Sequence, residues 1–291
     1  MRMPDTLIPP ALLVVTLGLL ASLGWGIADF GGGLTSRFGP VLGVLGSSQF
    51  ASLIVGIALL TVIHEPAMRD VDIAVSIAGG VFGAAGLALL YRGLATGRMG
   101  VVAPVAAVLT ATLPVVFGFV TEGVPSLFAI AGIGFAVVSV ILVSRSADAG
   151  DGRPSGIRYA LAAGTIFGLF TVSASFLADD LFLSPLVVMR LASVLTIALF
   201  VIVQRQPWRV PRRLWPALVA VGVVDMAATA AYLGAIAIGP LSIAAILASL
   251  YPVFTVILAA LVLRERVTPS HAAGIAAAGL AVALIAGAPA G

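Results

Sequence analysis

The sequence predicts an all-α integral membrane protein, with ten transmembrane helices forming two inverted five-helix repeats around a central cavity. Three observations predict this class. First, 61% of the 291 residues are hydrophobic and only 9% are charged, which is too few charges to cover a soluble domain. Second, apolar runs of about 20 residues, the length that crosses a bilayer, recur along the whole chain. Third, segments of the first half recur in the second.

The apolar runs are predicted to be helices, because each is continuously apolar and a helix satisfies its own backbone hydrogen bonds in lipid. Charged and helix-breaking residues coincide in the short connections between them. The longest polar link runs from Ser144 to Arg158 and divides the chain into repeats 1–147 and 148–291. The predicted spans are 11–33, 40–62, 73–95, 99–121, 125–143, 157–178, 184–203, 214–236, 239–262 and 270–287.

The two halves resemble each other at nearly one sequence offset. Residues 49–53 resemble residues 190–194, and Tyr91-Arg92-Gly93 resembles Tyr232-Leu233-Gly234, both 141 positions later. Because five spans per half is an odd number, the second half must enter the membrane upside down. Inverted repeats with a site at their interface recur among secondary transporters, in which two halves rock about a fixed cavity.

The distribution of arginine predicts the orientation. All 15 basic residues are arginine, and the small surplus over 12 acidic residues does not indicate nucleic-acid binding. Most of the arginines fall in loops on one side, which the positive-inside rule assigns to the cytoplasm of an inner (plasma) membrane protein. Both termini then lie outside. Two arginines are assigned to the outer side, Arg2 and Arg69. The arginines assigned to the cytoplasmic side are Arg37, Arg92, Arg98, Arg145, Arg153, Arg158, Arg205, Arg209, Arg212, Arg213, Arg264 and Arg266.

Two carboxylates fall inside predicted spans, where charge is costly and indicates function by default. Asp225 lies mid-span with Thr229 and Tyr232 on one helical face, so it is either a cation or proton site or a carboxyl satisfied by neighbouring hydroxyls. Asp29 follows Trp25 by four residues. Either this pair binds an amphipathic zwitterion, or Asp29 is solvated at the cytoplasmic edge near Arg37.

Arg190 and Gln49 occupy corresponding positions in the two repeats. Arg190 lies inside the seventh span and either holds a substrate carboxylate in a bidentate contact or extends to the outer surface. Gln49 either contacts a polar substrate or makes an interhelical hydrogen bond.

Four aromatic residues are candidate walls of the cavity, able to stack on a ring or face a cation, or else to pack only: Trp25, Tyr91, Tyr232 and Tyr251. Pro114 and Pro252 stand at corresponding places in the fourth and ninth spans, where loss of a helical hydrogen bond favours a kink. Such kinks either act as paired gates or give static curvature.

Several chemistries are not supported. The chain has no cysteine and two histidines, so no metal site and no cofactor is predicted. Gly31-Gly32-Gly33 lacks the Lys and Ser/Thr of a phosphate loop, which argues against nucleotide binding. An enzyme would need a nucleophile, base or metal constellation that is not visible. A channel stays open as an alternative, although no ring of charge or carbonyl filter is evident.

Several short motifs stand along the chain: residues 22–26, Arg190-Leu191-Ala192, and residues 251–254 followed by Leu263-Arg264-Glu265-Arg266. With these motifs the sequence resembles the drug/metabolite transporter superfamily, specifically its ten-helix EamA-type exporters, over essentially the whole chain. The first half is the weaker match, since Gln49 replaces a common arginine and Glu122 follows Pro114 closely. The resemblance implies a helical basket that exports amino acids, aromatic ones first, or related metabolites by alternating access, without nucleotide hydrolysis.

The implied partners are a small-molecule substrate and the lipid bilayer, with a monomer as the working unit and no nucleic acid. Alternative cargoes are sugars, sugar phosphates and amphipathic drugs.

Overall fold

The computed structural model describes residues 10–63, 65–122, 127–146, 155–174, 176–178, 181, 183–238, 247–248, 250–264 and 268–286. Within these residues all regular structure is helical. The first half contains α1 (Pro10–Thr35), α2 (Val41–Leu60), α3 (Asp70–Thr96), α4 (Met99–Glu122) and α5 (Leu127–Ser146). The second contains α6 (Ile157–Ala174), α7 (Leu183–Val203), a 3₁₀ turn (Arg212–Leu214), α8 (Trp215–Ile238), α9 (Tyr251–Leu263) and α10 (Pro269–Ala286).

The ninth predicted span differs most from the structure. The sequence favoured one apolar helix over 239–262, but α9 begins only at Tyr251 and Leu250 lies in a turn. Residues 247–248 are helical, while 239–246 and 249 lie outside the described residues. Pro252 stands in the first turn of α9, where a proline loses no intrahelical hydrogen bond, so the helix begins one residue before the proline that was expected to bend it.

Among the residues that the structure describes, five helices are long and apolar enough to cross a membrane, over Leu13–Thr35, Val41–Leu60, Asp70–Thr96, Leu183–Val203 and Arg212–Ala235. Their outer faces carry large apolar side chains that remain exposed. On α7, for example, Leu199 is 63% and Ile202 is 73% exposed. A soluble protein rarely exposes so large a continuous apolar surface. The chain is an integral membrane protein.

The most extensive helix contacts join the two halves of the chain. Helix α1 packs on α8, and α3 packs on α6. The pairs α4–α6 and α1–α9 also pack together, as do α3–α7 and α2–α8. Contacts between α2 and α7, and between α5 and α10, complete the arrangement. Each half therefore buries its helix faces mainly against the other half.

Glycines let α1 approach its neighbours closely. A Cβ at Gly24 would lie 2.7 Å from the Cβ of Ala228 on α8. A Cβ at Gly32 would overlap the ring of Tyr91 on α3, and one at Gly33 would lie 2.5 Å from the Cβ of Leu94. Small residues serve this purpose in membrane helices, where van der Waals packing drives association. The glycine triplet of α1 thus has a packing role.

Two carboxylates, Glu65 before α3 and Asp72 in its first turn, bind the start of α7 and the segment that precedes it. Glu65 accepts hydrogen bonds from the backbone N–H groups of Leu183 and Ser184, both at 2.8 Å. These N–H groups begin α7 and have no partner within the helix, so Glu65 caps it from another part of the chain. Asp72 accepts the N–H of Ala178 at 3.1 Å and pairs with Arg69 at 2.6 Å.

The start of α2 is packed against the segment before α8. A Cβ at Gly43 would overlap the backbone carbonyl of Trp208 and would lie 2.9 Å from Val210. A Cβ at Gly39 would touch Leu214 at 3.4 Å. The contact between these segments therefore depends on a backbone that carries no side chain at residue 43.

Candidate functional site

An ion pair between α7 and α8 forms the centre of the candidate site. Arg190 Nη2 lies 2.8 Å from Asp225 Oδ2, and the two side chains are only 12% and 15% exposed. Arg190 therefore points inward, and its extension to the outer surface, which the sequence left open, does not occur. A charge held this deep in apolar surroundings is stable only when it is paired.

The ion pair leaves hydrogen-bonding capacity unused. Among the described residues, Arg190 Nε and Asp225 Oδ2 have no hydrogen-bond partner, because the 2.8 Å contact is electrostatic and lacks hydrogen-bond geometry. A guanidinium has five N–H donors and a carboxylate about four acceptor positions. Both groups can thus take a further polar partner.

Gln49 and Thr229 complete the polar contacts of Arg190. Gln49 Oε1 accepts a hydrogen bond from Arg190 Nη1 at 2.9 Å, and Thr229 Oγ1 accepts one from Nη2 at 3.2 Å. Gln49 is 1% exposed. Gln49 and Arg190 are the two residues that the sequence comparison placed in register, and the structure brings them into contact with each other.

Three aromatic rings lie beside the ion pair. Trp25 Nε1 donates to Thr229 Oγ1 at 3.2 Å, which fixes the indole next to Arg190. The Trp25 ring is 5.3 Å from that of Tyr232 and 6.4 Å from that of Tyr251, the latter edge-on. These separations are typical of favourable aromatic pairs. The site thus has an aromatic wall built from α1, α8 and α9.

Asp29 is a second buried carboxyl on the α1 side of the site. Its residue is 8% exposed, so its solvation at the cytoplasmic edge, which the sequence left open, is wrong. It lies within electrostatic range of Asp225, Tyr91 and Tyr251. Tyr91 is 2% exposed and fills the space that Gly32 leaves on α1.

The structure gathers the predicted binding residues into one region: Trp25, Asp29, Gln49, Tyr91, Arg190, Asp225, Tyr232 and Tyr251. The two predicted kink residues are not among the contacts of this cluster that the structure describes. The backbone at Pro114 is helical within α4, and its side chain lies outside the described residues. Pro252 is buried in the first turn of α9.

Two residues have roles that the sequence reasoning missed. Thr229 was placed on the face of Asp225, but not as the hydroxyl shared by Trp25 and Arg190. Its own proton goes to the carbonyl of Asp225 at 2.8 Å, which leaves both lone pairs for those donors. Glu65, in the link between the second and third predicted spans, was assigned no role from the sequence. Its position just before a proline, in the link between two apolar spans, is the signal that could have identified it.

The apolar helices and the inward polar cluster define a class, an integral membrane protein with a buried, charged and aromatic site between its halves. Residues 154–287 match the model of the EamA-like transporter family. This match confirms the resemblance over the second half of the chain, and it indicates a membrane transporter of small molecules. The match lies in the half that carries the most specific motifs.

One solved crystal structure is similar in fold, with a TM-score of 0.64 over 93% of this chain and 97% of that chain. Its sequence is 22% identical, so the likeness concerns the fold alone. No curated protein sequence matches this chain at a significant level.

Proposed function

We propose that this protein is a secondary transporter that exports amino acids, aromatic or otherwise hydrophobic, and related metabolites by alternating access. In this proposal ten spans form two inverted repeats, residues 1–147 and 148–291, around the site. The observation that carries the proposal is the Arg190–Asp225 ion pair, held against aromatic rings between the halves.

The helix contacts support an internal twofold relation. In the proposed repeat each helix of the first half corresponds to the helix five places later, so α1 corresponds to α6 and α3 to α8. The contact α1–α8 then corresponds to α6–α3, the contact α4–α6 to α9–α1, and the contact α2–α8 to α7–α3. All six of these helix pairs pack together. Counterparts touch each other only near the axis that relates them. Gln49 and Arg190 do so at 2.9 Å, which supports a pseudo-twofold axis through the site.

The chemistry of the site suits a zwitterion with an apolar side chain. Arg190 can take a carboxylate in a bidentate contact, and Asp225 and Asp29 can take an ammonium group. Trp25, Tyr232 and Tyr251 offer faces and edges to an aromatic ring. Because the zwitterion is neutral overall, it can divide the Arg190–Asp225 pair into two ion pairs without adding net charge to a buried site.

This exchange explains how binding could favour a conformational change. When the substrate separates Arg190 from Asp225, it loosens the link between α7 and α8 and forms new contacts to α1 and α9. A ligand shifts an equilibrium only by its differential affinity for the two states, and contacts to helices of both halves supply such a difference. Since one chain contributes every group, a monomer is the expected working unit.

The orientation belongs to the same proposal. The arginine-rich loops face the cytoplasm, both termini lie outside, and the protein resides in the plasma membrane. No catalytic step is proposed, because the charged groups of the site are accounted for by binding.

Proteoliposomes preloaded with unlabelled phenylalanine test this function. Uptake of labelled phenylalanine should be faster than into empty vesicles, since a carrier exchanges its cargo across the membrane. The Arg190→Gln variant should lose uptake about 10- to 100-fold, the value of one or two charge-assisted hydrogen bonds. Uptake without trans-stimulation would favour a channel, and transport of sugar phosphates or amphipathic drugs instead of amino acids would replace the substrate.

A matched control separates the site from the fold. Arg190→Gln leaves Asp225 buried and unpaired, which destabilises the protein for reasons unrelated to substrate. The double variant Arg190→Gln with Asp225→Asn removes both charges and should recover thermal stability while remaining inactive. Full uptake by the double variant would rule out the ion pair as the substrate site.

A further inference from the structure

A pocket that contains two arginines lies at the ends of α3 and α6, apart from the ion pair described above. It has a volume of about 390 Å³, within the range of small-molecule sites. Its lining includes Arg92 and Thr96 from the last turns of α3, and Arg158 and Tyr159 from the first turn of α6. It is therefore formed jointly by the two halves of the chain.

Two arginines converge on one tyrosine in this pocket. Tyr159 Oη accepts a hydrogen bond from Arg92 Nε at 3.1 Å and one from Arg158 Nη2 at 3.4 Å. The guanidinium carbons lie 5.9 Å and 5.0 Å from the centre of the same ring. Tyr159 thus holds two positive charges side by side, an arrangement that costs electrostatic energy unless an anion lies between them.

No acidic side chain lines the pocket among the residues that the structure describes. Arg92 and Arg158 make side-chain hydrogen bonds only to Tyr159 within that part of the chain. Each guanidinium has five N–H groups, and one of them is used in each case. The pocket therefore offers several donors and two charges to a ligand rich in acceptors.

The backbone around the arginines is firmly placed. Gly156 has a φ of +74°, and a Cβ there would lie 2.7 Å from Val102, so only glycine fits at this turn. The Ser155 hydroxyl accepts the N–H of Ile157 at 3.4 Å, while Thr96 donates its hydroxyl to the carbonyl of Arg92 at 2.7 Å. The Thr96 proton is thus used within its own helix, and the two arginines remain as the charged binding groups.

We propose that this pocket binds a phosphate group, carried either by an anionic lipid headgroup or by a soluble phosphate compound. The planar guanidinium matches phosphate oxygens in a bidentate contact, and a tyrosine stacked beside each arginine limits its motion. Arg92 lies four residues before the end of α3, a candidate membrane span, so it stands near the depth of lipid headgroups.

Thermal unfolding of the full-length protein in a neutral detergent tests the pocket. One arm titrates sodium phosphate against sodium chloride at equal ionic strength, and the other titrates phosphatidylglycerol against diacylglycerol, which lacks the phosphate. The wild-type protein should be stabilised with a saturable dependence on the phosphate-bearing probe. The double variant Arg92→Gln with Arg158→Gln should shift the half-saturating concentration upward about tenfold or more.

The matched control is the double variant Arg209→Gln with Arg213→Gln, which removes two exposed arginines from outside the pocket. It should retain the wild-type response. A response only to phosphatidylglycerol supports a lipid headgroup, and a response to inorganic phosphate supports a soluble ligand. No response to either probe, or equal losses in the two double variants, would overturn the proposal by leaving only general attraction to a basic surface.

Discussion

The start of α7 and the start of α2 correspond in the repeat that we propose, yet different chemistry holds them in place. At α7, the Glu65 carboxylate takes two backbone N–H groups at 2.8 Å. At α2, the Trp208 carbonyl lies against bare backbone at Gly43. The first contact is directional and charged, and the second depends on the absence of a side chain. Two ends related by symmetry can therefore differ in how easily each one opens.

The largest expected effect comes from filling the close contact at α2. Gly43→Ala would place a Cβ on the Trp208 carbonyl and should lower the free energy of unfolding by about 2–3 kcal/mol through overpacking. Gly83→Ala is the matched control, because nothing lies within 4 Å of its Cβ and alanine favours helix by about 0.5–1 kcal/mol. Denaturant unfolding in detergent measures both. Equal effects of the two changes would mean that the contact at Gly43 does not constrain the fold.

An intermediate effect is expected at the other end. Glu65→Gln keeps one carbonyl acceptor but loses the charge and the second acceptor, so it should cost about 1 kcal/mol. Asp70→Asn removes an exposed carboxylate close by and should change stability by less than about 0.5 kcal/mol. The same unfolding measurement applies, and a larger loss for Asp70→Asn would contradict the capping role of Glu65.

Chemical labelling can distinguish opening at the start of α7 from opening at the start of α2, since the chain contains no cysteine. In the Glu65→Gln background, a cysteine at Ser184 should react with maleimide about fivefold faster, the factor that corresponds to 1 kcal/mol. A cysteine at Val210, beside the contact at α2, should react at an unchanged rate. Faster labelling at both positions would indicate general loosening instead of the opening of one end.

The smallest effect is expected for the Arg69–Asp72 pair. The Arg69 side chain is 59% exposed, so water and salt screen its charge. The buried Asp72 carboxylate still accepts the backbone N–H groups of Arg69 and Ala178 when the Arg69 side chain is replaced. Arg69→Gln should therefore reduce stability by less than Glu65→Gln does in the same unfolding measurement. The reverse order would show that the pair, and not the cap on α7, fastens this end.

Much of the helical layout could be predicted from the sequence, because hydropathy reports directly on burial in lipid. Predicted span 40–62 corresponds to α2 at Val41–Leu60, and 184–203 corresponds to α7 at Leu183–Val203. The break before Tyr251 could not be predicted in this way. An apolar run remains apolar whether or not its backbone is interrupted, so hydropathy does not detect a turn at Leu250.

The sequence predicted which residues belong to the site better than it predicted how their side chains are arranged. Burial cost singled out Asp29, Asp225 and Arg190, since few polar groups occur in the spans. The sequence did not reveal that Arg190 turns inward, because its direction depends on Asp225 in the next helix and Gln49 in the other half. Nor did it assign the glycine triplet of α1, whose role depends on the position of Tyr91.

The pairing of helices across the two halves has a consequence for biogenesis. Helices α1 and α3 find their most extensive partners in α8, α6 and α7, which the ribosome makes later. Until those helices are made, the early helices remain in the bilayer without their main partners, and small-residue surfaces such as those at Gly24 and Gly32 face lipid. The main contacts of α1 form only after α8 enters the membrane, so a chain that stops before this point should be a substrate for quality control.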